Sequence, residues 1–198
     1  MPLVTTKAPD FTAKAVLPNN EIVDFNLYKN LGTKGAVIFF WPMDFTFVCP
    51  SEIIAFDKRA KEFTARGFNV IGVSIDSEYV HLAWKNTAVN NGGIGQAQFP
   101  IVADVNHAIT KAYDVEHPGA VALRATFVLD KDGTIRHSTI NDLPIGRNID
   151  ETLRVVDAVL FTNEHGEVCP AGWHKGDEGM KANPKGVADY LSKNVSKL

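Results

Sequence analysis

Cysteine is nearly absent: Cys49 and Cys169 are the only two in 198 residues. That excludes a disulfide-stapled scaffold and any cysteine-rich zinc module. Net charge is small as well. Twenty Lys and Arg against 23 Asp and Glu leave −3, so charge implies no nucleic-acid partner. Long apolar runs are missing too, and the longest, Ala36 to Trp41, falls far short of the roughly 20 residues a membrane helix needs. Met1 to Asp10 lack the basic-then-apolar layout of a secretory signal. The expected location is therefore the cytoplasm, where a disulfide that persists is working chemistry rather than a staple. No internal repeat and no low-complexity stretch is found. What is present is ordinary, 45% hydrophobic and 22% charged, at a length that suits one domain better than two.

The order of elements is readable from periodicity. Ala36-Val-Ile-Phe-Phe-Trp41 is apolar on both parities and predicts a strand buried on both faces. Pro50 then stands where a helix begins, Ile53, Phe56, Ala60 and Phe63 recur at helical spacing, and Gly67 closes the segment. A second strand is expected over Phe68–Ile75, a helix from Ser77 through Trp84, a short strand at Pro100–Asp104 and a helix ending near Tyr113. Ala125–Asp130 and Thr134–Ile140 flank Asp132-Gly133, a hairpin signal, and a last long helix spans about Asn148 to Thr162. Strand–helix alternation followed by a hairpin predicts an α/β chain: a parallel sheet between helices, with an antiparallel edge. Beyond Phe161 the composition shifts. Glycines stand at 166, 172, 176, 179 and 186 among several lysines, and Val187–Leu191 offers one short apolar face. Residues 164–198 are thus expected to form an arm on a domain of residues 1–163.

Chemistry concentrates in Trp41-Pro-Met-Asp-Phe-Thr46-Phe-Val-Cys49-Pro-Ser-Glu52. A cysteine here sits after a buried strand and in the first turn of a helix, where unpaired N–H groups and the positive end of the helix dipole stabilise a thiolate. Thr46, one helical turn earlier, can face the sulfur with its hydroxyl, and Pro42 can wall the site from water. A buried cysteine that is only a small hydrophobe is the competing reading, and placement alone leaves both open.

The whole string goes further. Pro-x-x-x-Thr-x-x-Cys on a strand-to-helix turn resembles the peroxiredoxin active-site pattern, and Asp44-Phe-Thr-Phe-Val-Cys-Pro-Ser-Glu52 is similar to its typical two-cysteine branch. Gly166-Glu-Val-Cys169-Pro-Ala-Gly-Trp173 resembles that branch's resolving-cysteine segment. Gly72–Ser77, His81–Trp84, Gly92–Gly95, Leu123–Ala125 and Gly146-Arg147 match in the family's order from about residue 3 to 173. The resemblance implies a thioredoxin-like fold, a central mixed sheet flanked by helices with a C-terminal arm, and a peroxidase cycle needing no metal, haem or flavin in this chain. It assigns Cys49 as the attacking thiol, Thr46 and Arg124 as donors to the reacting oxygens, and Glu52 and Arg147 as the partners that hold Arg124. A spacing of 120 positions makes this no Cys-x-x-Cys site, and the resemblance implies that Cys169 of one subunit meets Cys49 of another. It further implies a homodimer assembling into a decamer, with thioredoxin or a dedicated flavoprotein disulfide reductase as electron donor.

Two departures from the family pattern stand out. Over-oxidation-sensitive members carry Gly-Gly-Leu-Gly and a terminal Tyr-Phe pair. This chain has Gly92-Gly-Ile94-Gly95 and Tyr190-Leu191, which predicts intermediate sensitivity to sulfinic-acid formation. Val80 replaces the family's Thr before His81-Leu-Ala-Trp84, which bears on how a ring would respond to redox state. His81 and Trp84 themselves are read as packing at a subunit contact. His165, Cys169 and His174 have no fourth ligand or standard spacing for a metal, and Gly92–Gly95 opens no nucleotide-binding helix. Two other function classes were weighed. A cysteine hydrolase needs a histidine base beside Cys49, and a holdase would not need the thiol at all.

Overall fold

The computed structural model describes residues 3–197. By its internal contacts the chain forms two compact units, Met1–Ile149 and Asp150–Leu198. They part near the start of the last long helix, whereas the sequence-based division at 163/164 falls near its end.

The first unit opens with strands β1 (Thr12–Val16) and β2 (Ile22–Asn26), paired antiparallel. Sequence periodicity misses this hairpin. Thr-Ala-Lys-Ala-Val is a weak apolar alternation, and only Ala15 and Val16 are buried. The turn is made by Asn20 in the left-handed region, φ +69°, a conformation Asn tolerates better than most residues. Then come β3 (Gly35–Phe40), α1 (Cys49–Ala65), β4 (Phe68–Ser74), α2 (Glu78–Asn86), β5 (Ile101–Ala103) and α3 (Ala108–Ala112). A two-stranded ribbon, β6 (Glu116–His117) and β7 (Val121–Ala122), leads into the hairpin of β8 (Arg124–Asp130) and β9 (Ile135–Asn141). Seven strands form one sheet in the order β2-β1-β5-β4-β3-β8-β9. The central β5, β4 and β3 run parallel, and an antiparallel hairpin is added at each side. The expected antiparallel edge is there, with a second one opposite it.

All six residues of β3 are buried, which is why its sequence lacks alternation. The pleat sends Ala36, Ile38 and Phe40 into a core with Phe25, Leu27, Ile71, Val73, Tyr113, Phe127 and Leu129. Phe39 points the other way and stacks on Phe56 of α1 with centroids 4.0 Å apart. Gly72 in β4 is bare because an indole covers it: a Cβ there would lie 2.7 Å from the Trp41 ring. The pairing of β3 with β8 sets Phe39 opposite Thr126, so Arg124, two residues earlier in β8, emerges on the α1 face at the end of β3. This register positions the site.

In the second unit, α4 (Ile149–His165) is followed by an irregular segment and α5 (Pro184–Asn194). α5 is capped by Asn183, whose Oδ1 accepts from the Gly186 N–H at 2.8 Å. None of its residues is fully buried. Among the described residues, no helix is long and apolar enough to cross a membrane.

Candidate active site

Cys49 is the first residue of α1 and has no exposed surface. Val48 precedes the helix without a side-chain cap, Pro50 carries no N–H, and the Ser51 and Glu52 N–H groups donate to the Val48 carbonyl, so it is the positive end of the helix dipole that the helix start presents at the sulfur. The loop of residues 41–48 is held from below. Asp44 is buried. Its Oδ1 accepts from Trp41 Nε1 at 2.9 Å, its Oδ2 lies 2.7 Å from His81 Nδ1, and its N–H donates to Asp76 at 2.8 Å. Phe45 takes φ +54°, an uncommon conformation for a bulky residue that needs fixed surroundings. His81 and Trp84 are fully buried within one chain. The subunit contact expected of them is thus corrected: their rings are used up inside the protomer, His81 on Asp44 and the Val102 carbonyl, Trp84 on the Gly92 carbonyl. Burial, then the neighbouring Asp44 charge, push the Asp76 carboxyl above its ordinary value.

Thr46 Oγ1 lies 3.0 Å from Cys49 Sγ and 2.7 Å from the Met43 carbonyl oxygen. A hydroxyl has one proton and can rotate. It donates to the carbonyl when sulfur carries its own proton, and can turn to the sulfur when that proton is gone. Arg124 Nη1 donates to Sγ at 3.3 Å and to Glu52 Oε2 at 2.7 Å, while its Nε donates to the Leu143 carbonyl at 2.6 Å. Arg147 binds the other side of the same carboxylate: Nε and the backbone N–H reach Oε1 at 2.9 Å, and Nη2 reaches Oε2 at 2.8 Å. Its Nη1 donates to the carbonyls of Phe40 and Ala125, both at 2.8 Å, and its plane lies over Phe39 and Phe56.

These side chains are removed from water, with Arg124 4% exposed and Glu52 and Arg147 2%. Burial alone would raise the Glu52 carboxyl. The hydrogen bonds and charge of Arg147, with the charge of Arg124, outweigh it and hold the group below its ordinary value. Burial lowers the Arg147 guanidinium against the opposing pull of Glu52. Two guanidiniums share one carboxylate, so the cluster has one surplus positive charge. An anion at Sγ balances it, as does negative charge developing on an oxygen beside it.

The structure thus brings Cys49, Thr46, Glu52, Arg124 and Arg147 together through hydrogen bonds. Pro42 is buried at the start of the loop. Cys169 belongs to the second unit, where it is half-buried 3.8 Å from the Ala158 carbonyl. Burial raises its thiol above the ordinary value, and Arg154 acts in the opposite sense. Sequence reasoning missed the backbone carbonyls that orient both arginines, and the Asp44–His81 pair. Neither carries a composition signal. Among the described residues, no group of three or more His, Cys, Asp or Glu is arranged to hold a metal.

Residues 4–138 match the AhpC/TSA family, and residues 158–193, including Cys169, match the C-terminal domain of 1-Cys peroxiredoxin. The chain is 64% identical over 197 residues to the alkyl hydroperoxide reductase C of Helicobacter pylori, covering 99% of this chain and all of that protein. It is 47% identical to the chloroplastic 2-Cys peroxiredoxin BAS1 of Hordeum vulgare, covering 97% and 91%. The crystal structure of reduced Plasmodium vivax 2-Cys peroxiredoxin superposes with a TM-score of 0.94 at 44% identity, covering 97% of this chain and 100% of that one. The mixed sheet with its helices is therefore the thioredoxin-like fold that the sequence implied. The chain belongs to the AhpC/TSA family and is a peroxiredoxin, a thiol-dependent peroxidase.

Proposed function

We propose that Cys49 attacks the peroxide and Cys169 resolves the product. The Cys49 thiolate attacks the terminal oxygen of ROOH and displaces RO⁻. An S–O bond forms, the O–O bond breaks, and RO⁻ leaves and takes up a proton as water or alcohol, giving a sulfenic acid. Negative charge moves along the S–O–O axis, and Arg124 and Thr46 are the donors aimed at it. Glu52 and Arg147 hold Arg124 in place, and Pro42 shields the loop. The observation that carries this reading is the pair of contacts on Sγ, 3.0 Å from the Thr46 hydroxyl and 3.3 Å from the Arg124 guanidinium. A hydrolase would need an imidazole in one of those positions.

Residues 164–198 act as the arm that carries Cys169 to Cys49 of a second subunit. The dimers assemble further, as a decamer. Phe47, 98% exposed, and Phe45, 51% exposed, flank Thr46 in the active-site loop, and apolar surface of that kind supports a contact between copies. Thioredoxin or a dedicated flavoprotein disulfide reductase regenerates the thiols in the cytoplasm, and a holdase role is secondary.

The test is non-reducing electrophoresis after one equivalent of hydrogen peroxide, comparing wild type with Cys49→Ser and Cys169→Ser. A disulfide-linked dimer in wild type that both variants lose is expected. Peroxide consumption with only monomeric protein would replace the intersubunit cycle by a one-cysteine or intrasubunit one. No consumption would remove the peroxidase assignment of Cys49.

A further inference from the structure

The glycine-rich surroundings of Cys169 predict a loose segment, yet within the second unit the chain is tied on both sides of it. Just before the sulfur, Val168 and Met180 exchange backbone hydrogen bonds in both directions, each 2.9 Å long. Just after it, Pro170 accepts from the Trp173 N–H at 3.2 Å. Trp173 is 3% exposed, stacks near Phe161 with centroids 4.8 Å apart, and donates its indole N–H to the Asp177 carbonyl. Gly179 lets the returning strand pass, since a Cβ there would lie 2.5 Å from the Phe161 ring.

Arg154 closes this loop onto α4. Glu151, one turn earlier, grips its guanidinium with both carboxylate oxygens at 2.7 Å, a fork that fixes its plane. The remaining nitrogen, Nη1, donates to the Trp173 carbonyl at 2.9 Å. Cys169 Sγ lies 3.8 Å from the carbonyl of Ala158, one helical turn beyond Arg154 on α4, so sulfur and guanidinium stand on the same stretch of that helix, and the Arg154 charge acts on the thiol. Of the other charged groups on α4 and the arm, Glu151 is engaged by Arg154, Asp157 faces Lys175 at 4.0 Å, and Glu167 lies against Gly179.

Resting on the reading that Cys169 resolves, we propose that Arg154 is a positioning residue for disulfide formation: oriented by Glu151 and anchored to Trp173, it holds the loop and favours the anionic sulfur. In that step the Cys169 thiolate attacks the sulfenic sulfur of Cys49. The S–S bond forms, the S–O bond breaks, and hydroxide leaves and is protonated to water. Cys169 is oxidised and the sulfenic sulfur is reduced. Burial works against the thiolate here. A fixed cation beside the loop offsets part of that penalty.

The experiment uses the full chain in two forms. In a Cys49→Ser background, the rate of Cys169 alkylation by iodoacetamide is followed against pH for Arg154, Arg154→Gln and Arg154→Lys. In the otherwise wild-type chain, disulfide formation is followed after a pulse of hydrogen peroxide. Arg154→Gln is expected to move the alkylation midpoint to higher pH and to slow disulfide formation by roughly two- to five-fold, the range of a half-exposed charge contact. Arg154→Lys should restore the midpoint in part, and Glu151→Gln should give a smaller change in the same direction. Circular dichroism checks that each variant is folded. If Arg154→Gln is folded and its midpoint stays put, the proposal is overturned, whether or not alkylation rises uniformly at every pH as a merely loosened loop would allow. If Arg154→Gln does not fold, Glu151→Gln and Arg154→Lys decide, and an unmoved midpoint in both overturns it. A wild-type chain that forms no disulfide between Cys49 and Cys169 would instead sink the resolving role itself, a result visible before any Arg154 variant is made.

Discussion

Around Cys49, three buried charged side chains meet in one cluster: all three nitrogens of the Arg147 guanidinium, and Nε and Nη1 of Arg124, are engaged by a carboxylate, the sulfur or a main-chain carbonyl. Around Cys169, a single arginine, 27% exposed, stands at the loop, and the sulfur is half-buried. The first environment is over-determined and dry, so each contact is electrostatically strong and each loss is severe. The second is tied by a few contacts that water can replace. On the proposed roles, the attacking thiol, which must be ready at all times, sits in the first, and the resolving thiol, which must travel, sits in the second.

The largest test of this contrast is Glu52→Gln. It leaves two buried guanidiniums without their counter-charge, and a loss of about 3–5 kcal/mol in stability is expected by denaturant unfolding near neutral pH. The pH dependence follows from the lowered Glu52 value. A carboxyl lowered in the folded state stabilises the fold above its unfolded value, near 4.5, and that contribution disappears as pH falls through the folded value. The gap between wild type and Glu52→Gln should therefore narrow as pH drops below about 4.5. A gap that stays constant with pH would mean the carboxylate charge is not what stabilises the cluster.

Arg124→Gln should come next. Its guanidinium is the charged donor on Sγ, and its removal is expected to lower the second-order rate of Cys49 oxidation by about 10²- to 10³-fold, read by stopped flow at limiting peroxide. A loss under about fivefold would place the guanidinium outside the reaction. Thr46→Val removes the hydroxyl that donates to the thiolate, a hydrogen bond to a charged group, and should cost roughly ten- to a hundredfold in the same assay, while Thr46→Ser should stay near wild type. The smallest effect concerns over-oxidation of the attacking thiol. Mass spectrometry during turnover at rising peroxide should find Cys49 partly converted to sulfinic acid, at doses between those of sensitive and robust relatives. Complete conversion at the lowest dose, or none at millimolar peroxide, would reject intermediate sensitivity.

What was legible in the sequence was what is local. Thr46 and Cys49 lie three residues apart around a helix start, and strand–turn–helix spacing alone lets the hydroxyl face the sulfur, whereas Glu52, three residues further on, was assigned only through the resemblance. Ala36–Trp41 and the Asp132-Gly133 hairpin were equally plain. Arg124 and Arg147 reach the site from 75 and 95 positions away along the chain, and only the resemblance to a family pointed to them. The Asp44–His81 pair, 37 positions apart, was misread, because a histidine on a helix looks the same whether it faces a buried carboxylate or a neighbouring molecule. The β1–β2 hairpin went unseen because two alanines and a lysine leave no pattern to read.

The register of β8 on β3 has a consequence for how this enzyme can change over time. Arg124 faces the sulfur only because Phe39 pairs with Thr126, and a slip by one residue would turn the guanidinium to the opposite side of the sheet. An insertion in the Lys131–Gly133 turn lies beyond the paired stretch and leaves that alignment alone. One between Arg124 and Thr126 does not, because it changes the two-residue offset that puts the guanidinium on the Phe39 side. Tolerance to length variation should therefore be sharply asymmetric across a span of ten residues, and the first residues of β8 should be as intolerant of insertion as the Cys49 loop itself.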